Sequence, residues 1–267
     1  MITVVALGDV VGKPGRQCLD EHIPEIRKKF APDLVVLNGE NLAGGFGLTK
    51  KIFLEILEKH GIDCIATGNH WADKREIYDF MDHERLLLPA NAKGVPAYDH
   101  GLRILKTSSG TQVAFVNLIG KVFMHPDNTC PFKAADAVFE RIPDYIKTRI
   151  VDVHAEATSE KQALGHYLTQ RASLLYGTHS HVQTADERIL GGRLGYLTDV
   201  GMTGPYDSII GMKTNLAMKR FLTGQKEPLE PAKNDPWICF LVAKIDEETG
   251  ICAEVTRHRW SPEKTVE

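Results

Sequence analysis

The stretch Ile2-Thr-Val-Val-Ala-Leu7-Gly8-Asp9 decides the fold class, because its pattern returns twice before residue 71. Leu34-Val-Val-Leu37 runs into Asn38-Gly-Glu40-Asn41, and Asp63-Cys-Ile-Ala-Thr67 runs into Gly68-Asn69-His70. Each is a short, β-branched apolar run of strand length that ends in small and polar residues. Between them lie helical patterns. Leu19, Ile23 and Ile26 recur at helical spacing within Arg16 to Phe30, and Thr49 stands as an N-cap before Ile52, Phe53, Ile56 and Leu57. The βαβαβ rhythm predicts an α/β fold built from stacked βαβ units, with strands buried between helices.

Downstream, Val113-Ala-Phe-Val116 ends near Asn117, Ile150-Val-Asp-Val153 runs into His154, and Leu174-Leu-Tyr176 into Gly177-Thr-His179-Ser-His181. Gly195-Tyr-Leu-Thr198 precedes Asp199-Val-Gly201. Trp237 to Ile245 and Glu254 to Trp260 read as two strands around the turn Asp246-Glu-Glu-Thr-Gly250, and Pro228 to Pro236 as a loop. No linker, repeat or low-complexity tract divides the chain, so residues 1–267 read as one domain.

Composition excludes several classes. Of 267 residues, 43% are hydrophobic and 25% charged, near the globular average, which argues against disorder, collagen and coiled coil. Lys+Arg 32 against Asp+Glu 35 gives a net charge of −3, unsuited to a nonspecific grip on nucleic acid or anionic membrane. The longest apolar stretch, Trp237 to Ala243, is far short of the roughly 20 residues that span a bilayer. The start Met1-Ile-Thr-Val-Val lacks a basic n-region, so no signal peptide is expected. Five cysteines (Cys18, Cys64, Cys130, Cys239, Cys252), odd in number and without a CxxC, fit a reducing cytosol better than a disulfide scaffold or zinc ribbon. Cys64, Cys239 and Cys252 fall on apolar strands and read as core residues.

The polar residues at the strand ends carry the chemistry. Asp9, Glu40, Asn41, Asn69, His70, His154, His179 and His181 each follow a predicted strand, and in open α/β sheets ligands bind beyond the carboxyl ends of strands. Carboxylates, amide oxygens and imidazoles suit iron, manganese, cobalt or zinc. Asp9, Glu40, Asn41, Asn69, His154, His179 and His181 exceed what one transition metal needs, and suit a pair sharing a carboxylate. Two carboxylates leave two divalent ions with surplus positive charge, which a hydroxide and a phosphate ester neutralise. Each residue alone has a commoner structural role: a turn or cap for Asp9, a left-handed turn for Asn41 or Asn69, a core histidine for His154. Five strand ends with compatible chemistry outweigh those readings. In His179-x-His181, alternation along a strand places both imidazoles on one face.

Other motifs fail on spacing. Gly8-Asp-Val-Val-Gly12-Lys13-Pro14 has three residues between its glycines, and Pro14 where a phosphate loop needs Ser or Thr. Gly44-Gly45-Phe46-Gly47 is not GxGxxG, and no Ser or Cys sits in a nucleophile elbow.

These motifs resemble the calcineurin-type metallophosphoesterases, and most closely their YmdB-like branch. The resemblance rests on Gly8-Asp-Val-Val-Gly-Lys-Pro-Gly-Arg16, Asn38-Gly-Glu-Asn41, Gly68-Asn-His70, Pro89-Ala-Asn91, His154-Ala-Glu-Ala-Thr-Ser-Glu-Lys161, Gly177 through Asp186 and Thr198 through Asp207, and covers nearly the whole chain. It implies a four-layer αββα sandwich and a bimetallic phosphodiesterase active on 2′,3′-cyclic nucleotides and small diesters. By resemblance Asp9, Glu40, Asn41 and His181 hold one metal, while Glu40, Asn69, His154 and His179 hold the second. His70 stands beside them as the catalytic histidine. Iron is the metal implied first, with manganese and zinc as alternatives, and homo-dimers or tetramers are implied as well. The chain departs from the wider pattern at Val11, where a histidine is usual and whose place Asn41 fills. It departs again at Trp71, where an acidic residue is usual; Asp73 is then the candidate to orient His70.

The mechanism expected is in-line attack on a diester phosphorus by a metal-bridging hydroxide, with His70 protonating the leaving alkoxide or steadying the phosphoryl oxygens. Two alternatives use the same residues: a phosphomonoesterase (nucleotidase or phosphatase), and a metal-containing regulator or RNA-associated binding protein with weak activity. No Arg pair near the ligand motifs would hold a dianion, which favours diesters. Aromatics at 7% advertise no RNA-stacking platform, so no stable nucleic-acid complex is expected.

Overall fold

Strand alternation builds the interior. In β1 (Ile2–Val10), Val5 and Leu7 join one buried cluster and Val4 and Ala6 another, so both faces of the strand are dry. The computed structural model describes residues 1–96, 98–226, 228–261 and 265–266. The remaining residues of the 1–267 domain reading lie outside those described. Along the chain follow α1 (Gly12–Phe30), β2 (Leu34–Asn38), α2 (Lys50–His60), β3 (Cys64–Ala66), β4 (Leu86–Leu87), β5 (Leu102–Lys106) and β6 (Gln112–Ile119). Then come α3 (Pro131–Phe139), β7 (Thr148–His154), α4 (Thr158–Leu168), β8 (Leu174–Thr178), β9 (Arg188–Leu190) and β10 (Leu194–Leu197). The last elements are β11 (Met202–Pro205), α5 (Thr214–Thr223), β12 (Pro236–Ile245), β13 (Cys252–Trp260) and β14 (Thr265–Val266).

The strands form two sheets, ordered β14-β13-β12-β11-β1-β2-β3-β4 and β5-β6-β7-β8-β10-β9. In the first, β1, β2, β3 and β4 run parallel; in the second, β6, β7, β8 and β10 do. The inner faces meet in one cluster, where Val4, Ala6 and Val36 pack with Phe115, Ile150 and Tyr176. Leu19 and Ile23 of α1 and Phe53 and Ile56 of α2 cover the outer face of the first sheet. Ala134 and Val138 of α3 and Leu164 and Leu168 of α4 cover that of the second. The four-layer αββα sandwich is therefore present. One expectation from the apolar runs is corrected: the strands are not covered by helices on both faces. Each sheet has helices on one side and the other sheet on the other, which buries a strand equally well.

The Thr49 cap stands where expected, whereas α1 begins at Gly12, four residues before the expected Arg16, with no side-chain cap. The Thr49 hydroxyl accepts from Ile52 N at 3.4 Å, and Gly61 closes α2 with φ +63°. All five cysteines are free thiols, with Cys18, Cys64, Cys239 and Cys252 buried. Among the described residues, no helix is long and apolar enough to cross a membrane.

Candidate metal centre

Parallel strands leave their carboxyl ends on one edge, and the two facing sheets bring two such edges together. Asp9 lies near the end of β1, Glu40 and Asn41 follow β2, and Asn69 and His70 follow β3. Across the gap, His154 ends β7, and His179 and His181 follow β8. Glu40, His154 and His179 place one ligand atom each within 4.8 Å of one another, and so do Asp9, Glu40 and His181. Glu40 belongs to both groups.

His154 Nε2 is the most crowded point. Asn69 Oδ1 lies 2.9 Å from it, Glu40 Oε2 3.1 Å and His179 Nδ1 3.1 Å. The protonation pattern follows from the neighbours. The Thr178 hydroxyl donates its one proton to Asp152 Oδ1 (2.7 Å), so it accepts from His154 Nδ1–H (2.9 Å), which turns Nε2 to the site. His179 Nε2–H donates to Glu156 Oε2 (3.0 Å), which leaves the lone pair of its Nδ1 facing His154. Three acceptors thus surround one nitrogen, and a single proton satisfies only one. A cation among these atoms satisfies all four.

The electrostatics agree. Burial works against charge on His154, but Glu40, Asp9 and Asp152 outweigh it and lift the imidazole to about 9. Burial and the neighbouring His154 push His179 down to about 3. Burial also opposes ionisation of Glu40, yet the His154 imidazole beside it holds its carboxyl well below the usual range. Asp9 is pushed up, first by burial.

In the second group, His181 Nδ1–H donates to Ile210 O at 2.8 Å, freeing Nε2. Asp9 Oδ2 accepts from His179 N at 3.0 Å, while its Oδ1 is buried without a hydrogen-bond partner. Asn41 donates Nδ2–H to Gly45 O at 2.9 Å, and its Oδ1 is likewise buried and unpaired. Orphaned buried acceptors are rare and call for a missing donor or ion. The residues present fit a pair of cations.

His70 stands at the rim, outside both groups. Its Nδ1 is 2.8 Å from Asp73 Oδ2, its backbone N–H donates to Glu40 Oε2 at 3.1 Å, and its ring meets Phe46 edge-on at 5.0 Å. Trp71 is buried in the helix-side core, and the Asp73 carboxylate is the one that reaches His70.

One expectation fails here. His179 and His181 do not share a strand face, because β8 ends at Thr178. They lie on a turn in which both have left-handed backbones, φ +99° and +64°. The imidazoles reach the site by that turn and not by strand alternation. Sequence reading also missed Asp152, Thr178 and Glu156, which orient the imidazoles. The one signal for Asp152 was a carboxylate inside the apolar run Ile150-Val-Asp-Val153. Asn38 was missed as well; its Nδ2 donates to Asp152 Oδ2 at 3.1 Å and links the sheets beneath the site.

Gly68 explains why the third strand ends as it does. A Cβ there would occupy the space of the Glu40 carboxylate and the His154 ring. Gly68→Ala is expected to lower the unfolding free energy by about 1–3 kcal/mol, read by urea denaturation, and an unchanged midpoint would contradict that packing.

Two facing sheets with this carboxylate–imidazole cluster at their shared edge define the metallophosphoesterase type of hydrolase. A family model described as YmdB-like protein matches residues 5–258, and the chain belongs to that family. It is 42% identical over 256 residues to the 2′,3′-cyclic-nucleotide 2′-phosphodiesterase of Bacillus subtilis (strain 168), covering 95% of each chain. Among solved structures, it resembles a novel phosphatase from Mycoplasma pneumoniae with TM-score 0.89 and 30% identity, over 97% of this chain and 93% of that one. A hypothetical protein from Thermus thermophilus superposes with TM-score 0.88 and 38% identity, over 97% of this chain and 99% of that one.

Proposed function

We propose that this chain is a two-metal phosphodiesterase for small diesters, with 2′,3′-cyclic nucleotides as its substrate class, working as one domain. The membership of Glu40 in both ligand groups carries the reading. Asp9, Glu40, Asn41 and His181 would hold one ion, and Glu40, Asn69, His154 and His179 the other. The family resemblance makes iron the first candidate metal, with manganese and zinc as alternatives that the same carboxylate, amide and imidazole set accepts. Bound ions supply activated water at neutral pH and positive charge against the phosphoryl oxygens.

The chain's own residues do the rest. Asp152 and Thr178 hold a proton of His154 on Nδ1, and Glu156 holds that of His179 on Nε2, so both imidazoles would turn a lone pair to a bound cation. Asp73 accepts from His70 Nδ1–H, which leaves Nε2 as the atom that passes a proton to the leaving alkoxide. The bond between His70 N and Glu40 Oε2 keeps that imidazole in fixed register with the shared carboxylate.

The test is a parallel assay on 2′,3′-cyclic AMP, bis-nitrophenyl phosphate and nitrophenyl phosphate, with elemental analysis of protein purified with and without oxygen. Diester turnover above monoester turnover, with two metals per chain, is the expected outcome; a monoester preference refutes the diester reading. Chelation should lower the melting temperature and readdition restore it. An ion present at 100 times its Kd stabilises by about 2.7 kcal/mol. Identical melting of chelated and metal-loaded protein would refute a resident metal pair.

A further inference from the structure

We propose that a buried ion pair, Lys161–Asp199, positions the His179-Ser180-His181 turn and so sets the aim of both imidazoles. The proposal rests on the two-metal reading above. Lys161 sits in the first turns of α4 and Asp199 just past β10, and their side chains are each only 1% exposed. Lys161 Nζ donates to Asp199 Oδ2 at 2.6 Å. The same oxygen accepts from Ser180 N at 3.1 Å, the middle amide of the turn. Asp199 Oδ1 accepts from Gly201 N at 2.8 Å, and Gly201 O accepts from Asp9 N at 3.1 Å. One carboxylate therefore ties the histidine turn to the strand end that carries Asp9.

A turn with non-glycine residues at φ +99° and +64° is strained and persists only where its surroundings over-determine it. Asp199 and Asp9 supply that constraint, one through Ser180 N and the other through His179 N. The backbone is tight here, since a Cβ on Gly177 would first collide with the Thr198 carbonyl and then with the lysine stem. Gly177 opens the motif Gly177-Thr-His-Ser-His181, and a Cβ on it would come within 2.7 Å of Lys161 Cδ. Stability alone does not call for this arrangement. A buried ion pair loses hydration that its attraction barely recovers, and an apolar pair of equal volume fills the space as well. What the pair adds is direction: three donors on two oxygens leave Asp199 one orientation, and Ser180 one place. Neither residue belongs to the ligand groups, so both are positioning residues.

The experiment is a cobalt titration of chelated protein, following the visible absorption of bound Co2+, in wild type and in the K161M/D199N variant. The double change removes both charges together and leaves no lone buried ion. The expected result is a folded variant whose Co2+ affinity is roughly 10–100-fold weaker, with an altered absorption band. A variant with wild-type affinity and band overturns the proposal. If the double variant does not fold, D199N alone is read in the same titration, and failure of both to fold overturns the positioning role in favour of a purely structural one. Wild-type protein that takes up no Co2+ would instead refute the two-metal reading.

Discussion

His70→Ala is expected to lose roughly 10²–10⁴-fold in turnover of a 2′,3′-cyclic nucleotide while keeping the metal content of the wild type. The expectation follows from where the ring lies. His70 is absent from both ligand groups, its Nδ1 is committed to Asp73, and 29% of its side chain is exposed, which leaves Nε2 as its nitrogen for proton transfer. A group so placed gives up a proton and takes it back without disturbing the ions. The leaving group supplies a second axis. Opening a cyclic ribose phosphate expels an alkoxide that needs a proton, whereas nitrophenolate leaves without one. The penalty of His70→Ala should therefore be large for 2′,3′-cyclic AMP and much smaller for bis-nitrophenyl phosphate. Equal losses on both substrates would assign the ring to holding phosphoryl oxygens, and loss of bound metal would make it a ligand. Asp73→Asn, which keeps the shape but weakens the acceptor for Nδ1–H, should show the same substrate asymmetry in milder form.

The sites were legible where strand physics governs them and illegible where a turn does. Asp9, Glu40, Asn69 and His154 could be read because β1, β2, β3 and β7 are dry on both faces, so a polar residue at the end of such a run marks the edge of the sheet. His179 and His181 reach the cluster for a different reason from the one read. Their spacing of two mimics strand alternation, but the turn they occupy is shaped by carboxylates distant in sequence, Asp9 and Asp199, which no local pattern reveals. The same holds for Asp152, whose role appears only once Thr178 from the neighbouring strand stands between it and His154. Of the fold, the long strands, β3, β10 and the first two helices were legible, while β4, β5, β9, β11 and β14 were not. β4, β9 and β11 have two to four residues, too few for periodicity to register; β3 and β10 are as short but were marked by the polar residues that follow them, Gly68-Asn69-His70 and Asp199. The second sheet as a facing layer was implied by family resemblance alone. An apolar run is equally dry beneath a helix or beneath another sheet, so hydrophobicity cannot distinguish the two.

Glu40→Gln should strip both ions and with them all turnover above background, a larger effect than any single histidine change. Glu40 is the residue common to both groups, and its Oε2 meets His154 Nε2 and the His70 amide at 3.1 Å each. Glutamine keeps the volume and can still accept from His70 N, so the fold should survive. It removes the negative charge that lifts His154 and that, on the two-metal reading, would neutralise bound cations. Losing a direct ligand common to two ions should exceed the roughly 10–100-fold affinity penalty typical of groups that only orient ligands. His181→Ala is the internal control, because His181 belongs only to the group with Asp9. It should release one ion and leave the other with Glu40, Asn69, His154 and His179. The order of metal content, two in wild type, one in His181→Ala and none in Glu40→Gln, can be read by elemental analysis of the three proteins side by side. A Glu40→Gln protein that retains both ions would mean that the two groups are independent sites, and a carboxylate shared between cations would then no longer explain why Glu40 stands between them.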